Sequence, residues 1–174
     1  MTGLLDRPGA VLLLVAALSL AAIGVALVSQ HVFDMQPCAW CVLQRAVFAG
    51  MALLALGGSL WSALRPSRLA QASALAVTGL LAVAGMASAL WQHGVAKVSE
   101  SCRLTLADQI VSGLRLDALA PEVFAPRASC ADAAVNLLGL PYEFWSLAMF
   151  TLLGIACAWA LTRLLRARTR RASG

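Results

Sequence analysis

Four long apolar stretches dominate the pattern of hydrophobic and polar positions along the chain. They run over about Ala10–Ser29, Val42–Leu64, Leu69–Trp91 and Phe144–Leu165, with polar segments between them. Each reaches the ~20 residues that an α-helix needs to cross a hydrocarbon core of ~30 Å. The first exceeds the ~7–15 apolar residues of a signal peptide, so we interpret it as a retained helix. The pattern therefore predicts an all-α membrane protein, a four-transmembrane-helix bundle that forms a single membrane domain over residues 1–174.

The segment between the third and fourth stretches, roughly residues 92–143, is the longest part of the chain outside the predicted spans. Within it, apolar residues recur at helical spacing and polar residues occupy the opposite side. The apolar set is Leu104, Ala107, Val111 and Leu114, and the polar set is Arg103, Asp108, Ser112 and Arg115. This pattern predicts a short membrane-surface helix, whose length is limited by Pro121 and Pro126.

Charge indicates how the bundle is oriented. The composition, 61% hydrophobic and only 12% charged, does not fit a soluble domain, and the basic residues flank the predicted spans. If both termini are cytoplasmic, eight basic residues lie inside and five outside, and the outside loops hold seven of the eight acids. The opposite orientation would carry the arginine-rich tail across the membrane, against the positive-inside rule. Topology thus explains the net charge of +5 without a nucleic-acid partner.

The cysteines divide in the same way. In this orientation Cys38, Cys41, Cys102 and Cys130 face the outer side, and Cys157 lies inside the last span. An even set of cysteines facing an oxidising compartment is typical of a disulfide system. Cys157, in apolar surroundings, is predicted to be a small core residue.

The motif Cys38-Ala39-Trp40-Cys41 stands where a polar turn enters the second apolar stretch. A Cys-x-x-Cys pair can close and reopen a small disulfide. If the helix begins near Val42, its N-terminal N–H groups and dipole favour a thiolate at Cys41. Arg45, one turn further on the same face, adds a fixed positive charge. We therefore interpret the motif as a redox centre.

Ordinary explanations exist for each of these residues. The Cys-x-x-Cys could be half of a zinc clip, although Cys102 and Cys130 are too far apart in sequence to supply a second close pair. Cys102 and Cys130 could form a purely structural disulfide. Arg45 could extend its side chain to the membrane surface, and His93 could simply cap the end of the third helix.

Taken together, these features resemble the disulfide-bond-formation protein B (DsbB) family, quinone-coupled thiol oxidases of the bacterial inner membrane. The resemblance covers essentially the whole chain. It rests on the four spans, the Cys-x-x-Cys followed by Arg45, the second cysteine pair in the last external loop, and the run Leu138-Gly139-Leu140-Pro141 before the fourth span. It implies periplasmic loops at about 30–41 and 92–143.

The resemblance also implies a relay. A reduced DsbA-like periplasmic thiol oxidase attacks a Cys102–Cys130 disulfide, and the electrons pass to Cys38–Cys41 through a transient Cys38–Cys130 pair. Cys41 then delivers them to a bound ubiquinone or menaquinone. By family position Arg45 lies beside the quinone ring, and His93 is a second candidate contact. One departure is Gln44, where some relatives carry an acid.

The sequence alone leaves two alternative functions open. A vitamin K epoxide reductase-like protein also combines four spans with a Cys-x-x-Cys motif, but there the motif nearest the quinone lies towards the end of the bundle. A membrane subunit with purely structural disulfides would show no quinone-dependent turnover.

Overall fold

Four long helices form the framework of the molecule. The computed structural model describes residues 7–65, 67–94 and 105–172, with side chains of the last helix as far as residue 167. The long helices are α1 (Pro8–Val32), α2 (Ala39–Leu64), α3 (Arg68–Gly94) and α7 (Tyr142–Ala172). All four are long and apolar enough to cross a membrane, with mean hydropathies of 1.7 to 2.9. The predicted all-α four-helix membrane bundle is confirmed.

The bundle core lies where all four helices meet. Phe48 of α2 and Phe150 of α7 stack with their ring centroids 4.0 Å apart, and both are buried. Cys157 is buried in the same cluster, as predicted for a small core residue. A methyl group at Gly85 of α3 would lie 2.4 Å from the Phe150 ring, so this glycine permits the close approach of α3 and α7.

Three short helices follow α3 in the described chain: α4 (Leu106–Gly113), α5 (Leu116–Leu119) and α6 (Pro121–Phe124). The predicted surface helix is α4, and its start is a capping box formed by Thr105 and Asp108. The helix ends at Gly113, before either proline, because the chain turns through a left-handed Arg115 (φ 54°). Two residues of the predicted pattern, Arg103 and Leu104, lie outside the described residues.

A two-stranded hairpin leads into α7. Strand β1 (Asn136–Leu137) pairs antiparallel with β2 (Leu140–Pro141), and Leu137 lies opposite Leu140. Leu138 and Gly139 both have positive φ, 55° and 81°, as a tight two-residue hairpin turn requires. The apolar sequence run that precedes the fourth span is therefore a turn, which the hydrophobic pattern does not reveal.

Candidate redox site

Cys38 and Cys41 lie at the start of α2. Cys38 is the N-cap residue, and Ala39 begins the helix, three residues before the start of the predicted apolar span. Cys41 therefore lies in the first turn, where backbone N–H groups lack partners within the helix. The Sγ atoms of Cys38 and Cys41 are 3.1 Å apart.

Cys130 is held beside Cys38 by the backbone of the external loop. The carbonyl of Pro37 accepts hydrogen bonds from the N–H groups of Arg127 (2.9 Å) and Ala128 (3.2 Å). This places the following residues of the loop next to the Cys-x-x-Cys, and Cys130 packs against the apolar cluster that contains Cys38. Cys38 thus contacts the Cys41 sulfur and has Cys130 as a neighbour.

The interaction between these cysteines shifts the pKa values of Cys38 and Cys130 in opposite directions. Hydrogen bonds to Cys130 and Cys41, together with complete burial, raise the pKa of Cys38. The hydrogen bond with Cys38 lowers the pKa of Cys130. The interaction thus favours the thiolate, the nucleophile in disulfide exchange, at Cys130 over Cys38. Cys102 lies outside the described residues.

The surface helix α4 packs over this group. Ala107 and Val111 of α4 are buried against Trp40 and Val42 of α2, in one apolar cluster that also contains Cys38. On its other side Trp40 lies near Trp91 of α3, with ring centroids 6.3 Å apart. The external segment is thus attached to the cysteines by apolar packing as well as by the Pro37 hydrogen bonds.

Arg45 is buried, with 6% of its surface exposed. Its Nη1 donates to Gln30 Oε1 (2.7 Å) and to the Val123 carbonyl (3.1 Å), and its Nη2 donates to the Ala26 carbonyl (3.3 Å). Gln30 in turn donates to the Glu122 carbonyl. The guanidinium therefore joins α2 to α1 and α6, which excludes the alternative that it extends to the membrane surface.

Two further glutamines complete the polar surroundings of Cys41. Gln44 Nε2 donates to Gln92 Oε1 (2.8 Å), and Gln92 Nε2 donates to Cys41 Sγ (3.3 Å). Both side chains are 4% exposed. A hydrogen-bonded chain thus connects α2 and α3 at the level of the redox pair.

A cavity of about 300 Å³ opens beside Cys41. Its walls are mostly apolar, with polar groups concentrated at the cysteine end. The lining includes Ala22, Val25, Phe48, Val135, Leu137 and Met149 among apolar residues, and Cys41, Gln36, Gln44, Arg45, Gln92 and Glu143 among the others. Gln36 Oε1 is buried and has no hydrogen-bond partner within the described part of the chain. Such a site suits a flat, largely apolar ligand with polar atoms at one end.

His93 does not line this cavity. Its Nδ1 lies 2.8 Å from Glu143 Oε1, and its ring lies against Phe144. Glu143 is buried and does line the cavity, so His93 reaches the site only through this carboxylate. The predicted direct contact of His93 with a cofactor therefore has no counterpart in the walls of this cavity.

The structure thus brings together Cys38, Cys41, Cys130 and Arg45. Sequence reasoning missed Gln30, Gln92 and Glu143, and it noted Gln44 only as a departure from relatives. The sequence carried only a weak signal for the three missed residues, because each lies one residue outside a predicted span, where polar side chains are common. Their hydrogen-bond partners could not be predicted, because each side chain bonds to a residue on a different element from its own.

Comparison with known proteins places these features in a family. Residues 8–160 match the family model "Disulfide bond formation protein DsbB". Proteins named "Disulfide bond formation protein B" from Stutzerimonas stutzeri and Cupriavidus metallidurans are 30% and 31% identical to this chain. These matches cover 81% and 87% of the chain, and 86% and 91% of those proteins.

"Disulfide bond formation protein B 1" of Pseudomonas syringae pv. syringae is 33% identical, over 87% of this chain and 88% of that protein. The match favours this family over the vitamin K epoxide reductase-like alternative. With its four spans and its grouped cysteines, the chain belongs to the DsbB family of disulfide bond formation proteins.

Proposed function

We propose that this protein is a protein-disulfide:quinone oxidoreductase of the bacterial inner membrane. It reoxidises a DsbA-like periplasmic dithiol oxidase and passes the electrons to membrane quinone, either ubiquinone or menaquinone. The observation that carries the proposal is the order of groups at the outer end of α2. Cys130 packs beside Cys38, Cys38 contacts Cys41, and Cys41 lines an apolar cavity.

A thiol or thiolate acts as the nucleophile in each exchange step. The partner's two thiols reduce a Cys102–Cys130 disulfide and become a disulfide themselves. The Cys130 thiolate attacks Cys38, which breaks the Cys38–Cys41 bond and releases Cys41 as a thiolate at the cavity wall. Cys102 then attacks Cys130, which restores the loop disulfide and releases Cys38 as a thiol. The two electrons now reside on Cys38 and Cys41, and the position of Cys38 next to both Cys41 and Cys130 supports this order.

The cavity fits the chemistry of a quinone ring. Its apolar walls suit the ring and tail, and the donors near Cys41, Arg45 and the glutamine amides, suit carbonyl oxygens. The unpaired Gln36 Oε1 suits a hydroxyl of the reduced form. A bound quinone would supply an acceptor for two electrons and two protons. The positive charge of Arg45 stabilises negative charge that develops near Cys41 in this low-dielectric site.

Turnover by purified protein tests the proposal. We expect wild-type protein to oxidise a reduced DsbA-like partner at a rate that depends on added quinone. Cys38→Ala/Cys41→Ala should still form a mixed disulfide with the partner, but its turnover should fall to background. Cys157→Ala, a change in the buried core away from the site, should retain near wild-type turnover.

Three outcomes would contradict the proposal. Absent turnover by the wild type would favour a membrane subunit with structural disulfides, and turnover independent of added quinone would remove quinone as the electron acceptor. Wild-type turnover by Cys38→Ala/Cys41→Ala would remove the relay.

A further inference from the structure

Gln92 presents a defined end of its amide to Cys41. A glutamine amide can turn either its oxygen or its nitrogen towards a neighbour. Here Gln44 Nε2 donates to Gln92 Oε1 at 2.8 Å, which leaves the Gln92 nitrogen facing Cys41 Sγ at 3.3 Å. The two hydrogen bonds are mutually consistent, since reversing the Gln92 amide alone would set its N–H group against that of Gln44.

We propose that Gln92, oriented by Gln44, is a positioning residue that holds the Cys41 sulfur as a hydrogen-bonded thiolate at the cavity wall and so controls its reactivity. The consequence for electron delivery rests on the proposed function, but the effect on the sulfur itself does not.

A directional donor has a specific effect at this position. A thiolate accepts a hydrogen bond far better than a thiol or a disulfide sulfur does, so the Gln92 amide stabilises the charged, reduced form. Both glutamines are buried, and competition from bulk water for these bonds is therefore reduced. The amide donates without adding a charge to an apolar region.

Arg45 does not duplicate this role. Its guanidinium donates to Gln30, Val123 and Ala26, which lie on α1 and α6. The arginine thus supplies a positive charge, whereas Gln92 supplies the direct contact with the sulfur. The two effects are separable by substitution, because they arise from different helices.

Alkylation of Cys41 by iodoacetamide, without quinone or partner, tests this inference. Full-length protein in detergent carries Cys38→Ser so that Cys41 cannot close the Cys-x-x-Cys disulfide, and modification is located by mass spectrometry. At pH 7 we expect Gln92→Met to slow alkylation of Cys41 about tenfold, and Gln44→Met to slow it about threefold. At about pH 10.5, where an ordinary thiol is ionised, all variants should react alike.

Matched variants distinguish the effect of the hydrogen-bond donor on alkylation from the effect of side-chain shape. Gln92→Glu keeps the shape but replaces the donor with a carboxylate, so it should react at least as slowly as Gln92→Met at pH 7. Gln71→Met, on the same helix but about 30 Å away, should match the wild type. Apart from the carboxylate that Gln92→Glu adds, the ionisable groups near the site are the same in every variant: Arg45, Cys130, Tyr142 and Glu143.

The result can overturn the proposal in two ways. Wild-type alkylation at pH 7 by Gln92→Met would show that the amide merely packs α3 against α2. Equal slowing at both pH values would indicate altered access to Cys41 instead of an altered thiolate. If Gln92→Met does not fold, Gln44→Met leaves both Gln92 and the thiol in place and decides between the same outcomes. Because no quinone is present, failure of the proposed function would appear only in the separate turnover assay.

Discussion

At the scale of single residues, the burial of Arg45 determines what its charged side chain does in the structure. A guanidinium near the end of a membrane span commonly reaches the surface. This one instead donates to one side-chain oxygen and two backbone carbonyls inside the protein. A buried cation is costly unless such partners satisfy it. Arg45 therefore combines a structural role, joining α1 and α6 to α2, with its position in the wall of the cavity.

Substitution of Arg45 should affect both roles. Arg45→Met leaves three oxygen acceptors without this donor, so we expect it to lower the free energy of unfolding by roughly 2–4 kcal/mol. It should also raise the apparent KM for quinone. Arg45→Lys keeps the charge but has fewer hydrogen-bond donors, so its stability and its KM for quinone should lie between those of the wild type and Arg45→Met. Thermal denaturation in detergent and a quinone titration provide the two measurements.

Arg68→Met is the matched control for Arg45, because Arg68 is exposed and lies at the other end of the bundle. It should leave both the stability and the KM unchanged. Coincident quinone curves for wild type, Arg45→Lys and Arg45→Met would mean that the arginine is structural only.

At the scale of elements, the crossing of α3 and α7 depends on one glycine. Gly85 allows the Phe150 ring to occupy the space where a Cβ would otherwise lie, and Phe150 stacks on Phe48 of α2. Three helices therefore meet at a single contact. The outer end of α7 carries Tyr142 and Glu143, which line the cavity, so this crossing also influences the site.

Gly85→Ala should destabilise the bundle by about 1–3 kcal/mol, because the added methyl overlaps the ring and must displace α7 or Phe150. Unfolding in detergent measures the loss. Gly57→Ala is the control, since a methyl there meets nothing within 4 Å. Gly85→Ala/Phe150→Leu should recover part of the stability. Equal stability of the two glycine variants would show that the crossing tolerates the extra volume.

At the scale of the whole molecule, charge is distributed unequally between the two ends. The described acidic residues lie on the side of the cysteines: Asp34, Asp108, Asp117, Glu122, Asp132 and Glu143. At the other end the four long helices surround a second cavity, of about 830 Å³, whose lining includes Arg7, Arg68 and Arg163. This asymmetry supports an orientation with the arginine-rich end in the cytoplasm.

Reporter fusions test that orientation. A reporter placed after Gly174 should be active as a cytoplasmic fusion. One inserted near Gly113, at the end of α4 where the chain has space around it, should be active as a periplasmic fusion. Detection of both reporters on the same side of the membrane would contradict the four-span orientation.

Sequence alone determined the features that depend on local pattern. The four spans follow from the length and hydropathy of continuous segments, because a helix satisfies its own backbone hydrogen bonds in lipid. Helix α4 followed from its amphipathic spacing, and its place on the membrane surface stays a prediction. The redox interpretation rests on the three-residue separation of Cys38 and Cys41. The same residues carried the resemblance to the DsbB family.

Tertiary structure decided which distant residues meet. Cys130 lies beside Cys38 because the Pro37 carbonyl binds the loop before it, and Gln92 reaches Cys41 because α3 packs against α2. His93 bonds to Glu143 instead of facing the cavity, and Arg45 is enclosed by α1 and α6. These contacts join residues 15 to 92 positions apart, and hydrophobic periodicity carries no information about such pairs. They depend on how the helices cross, which packing of whole side chains sets.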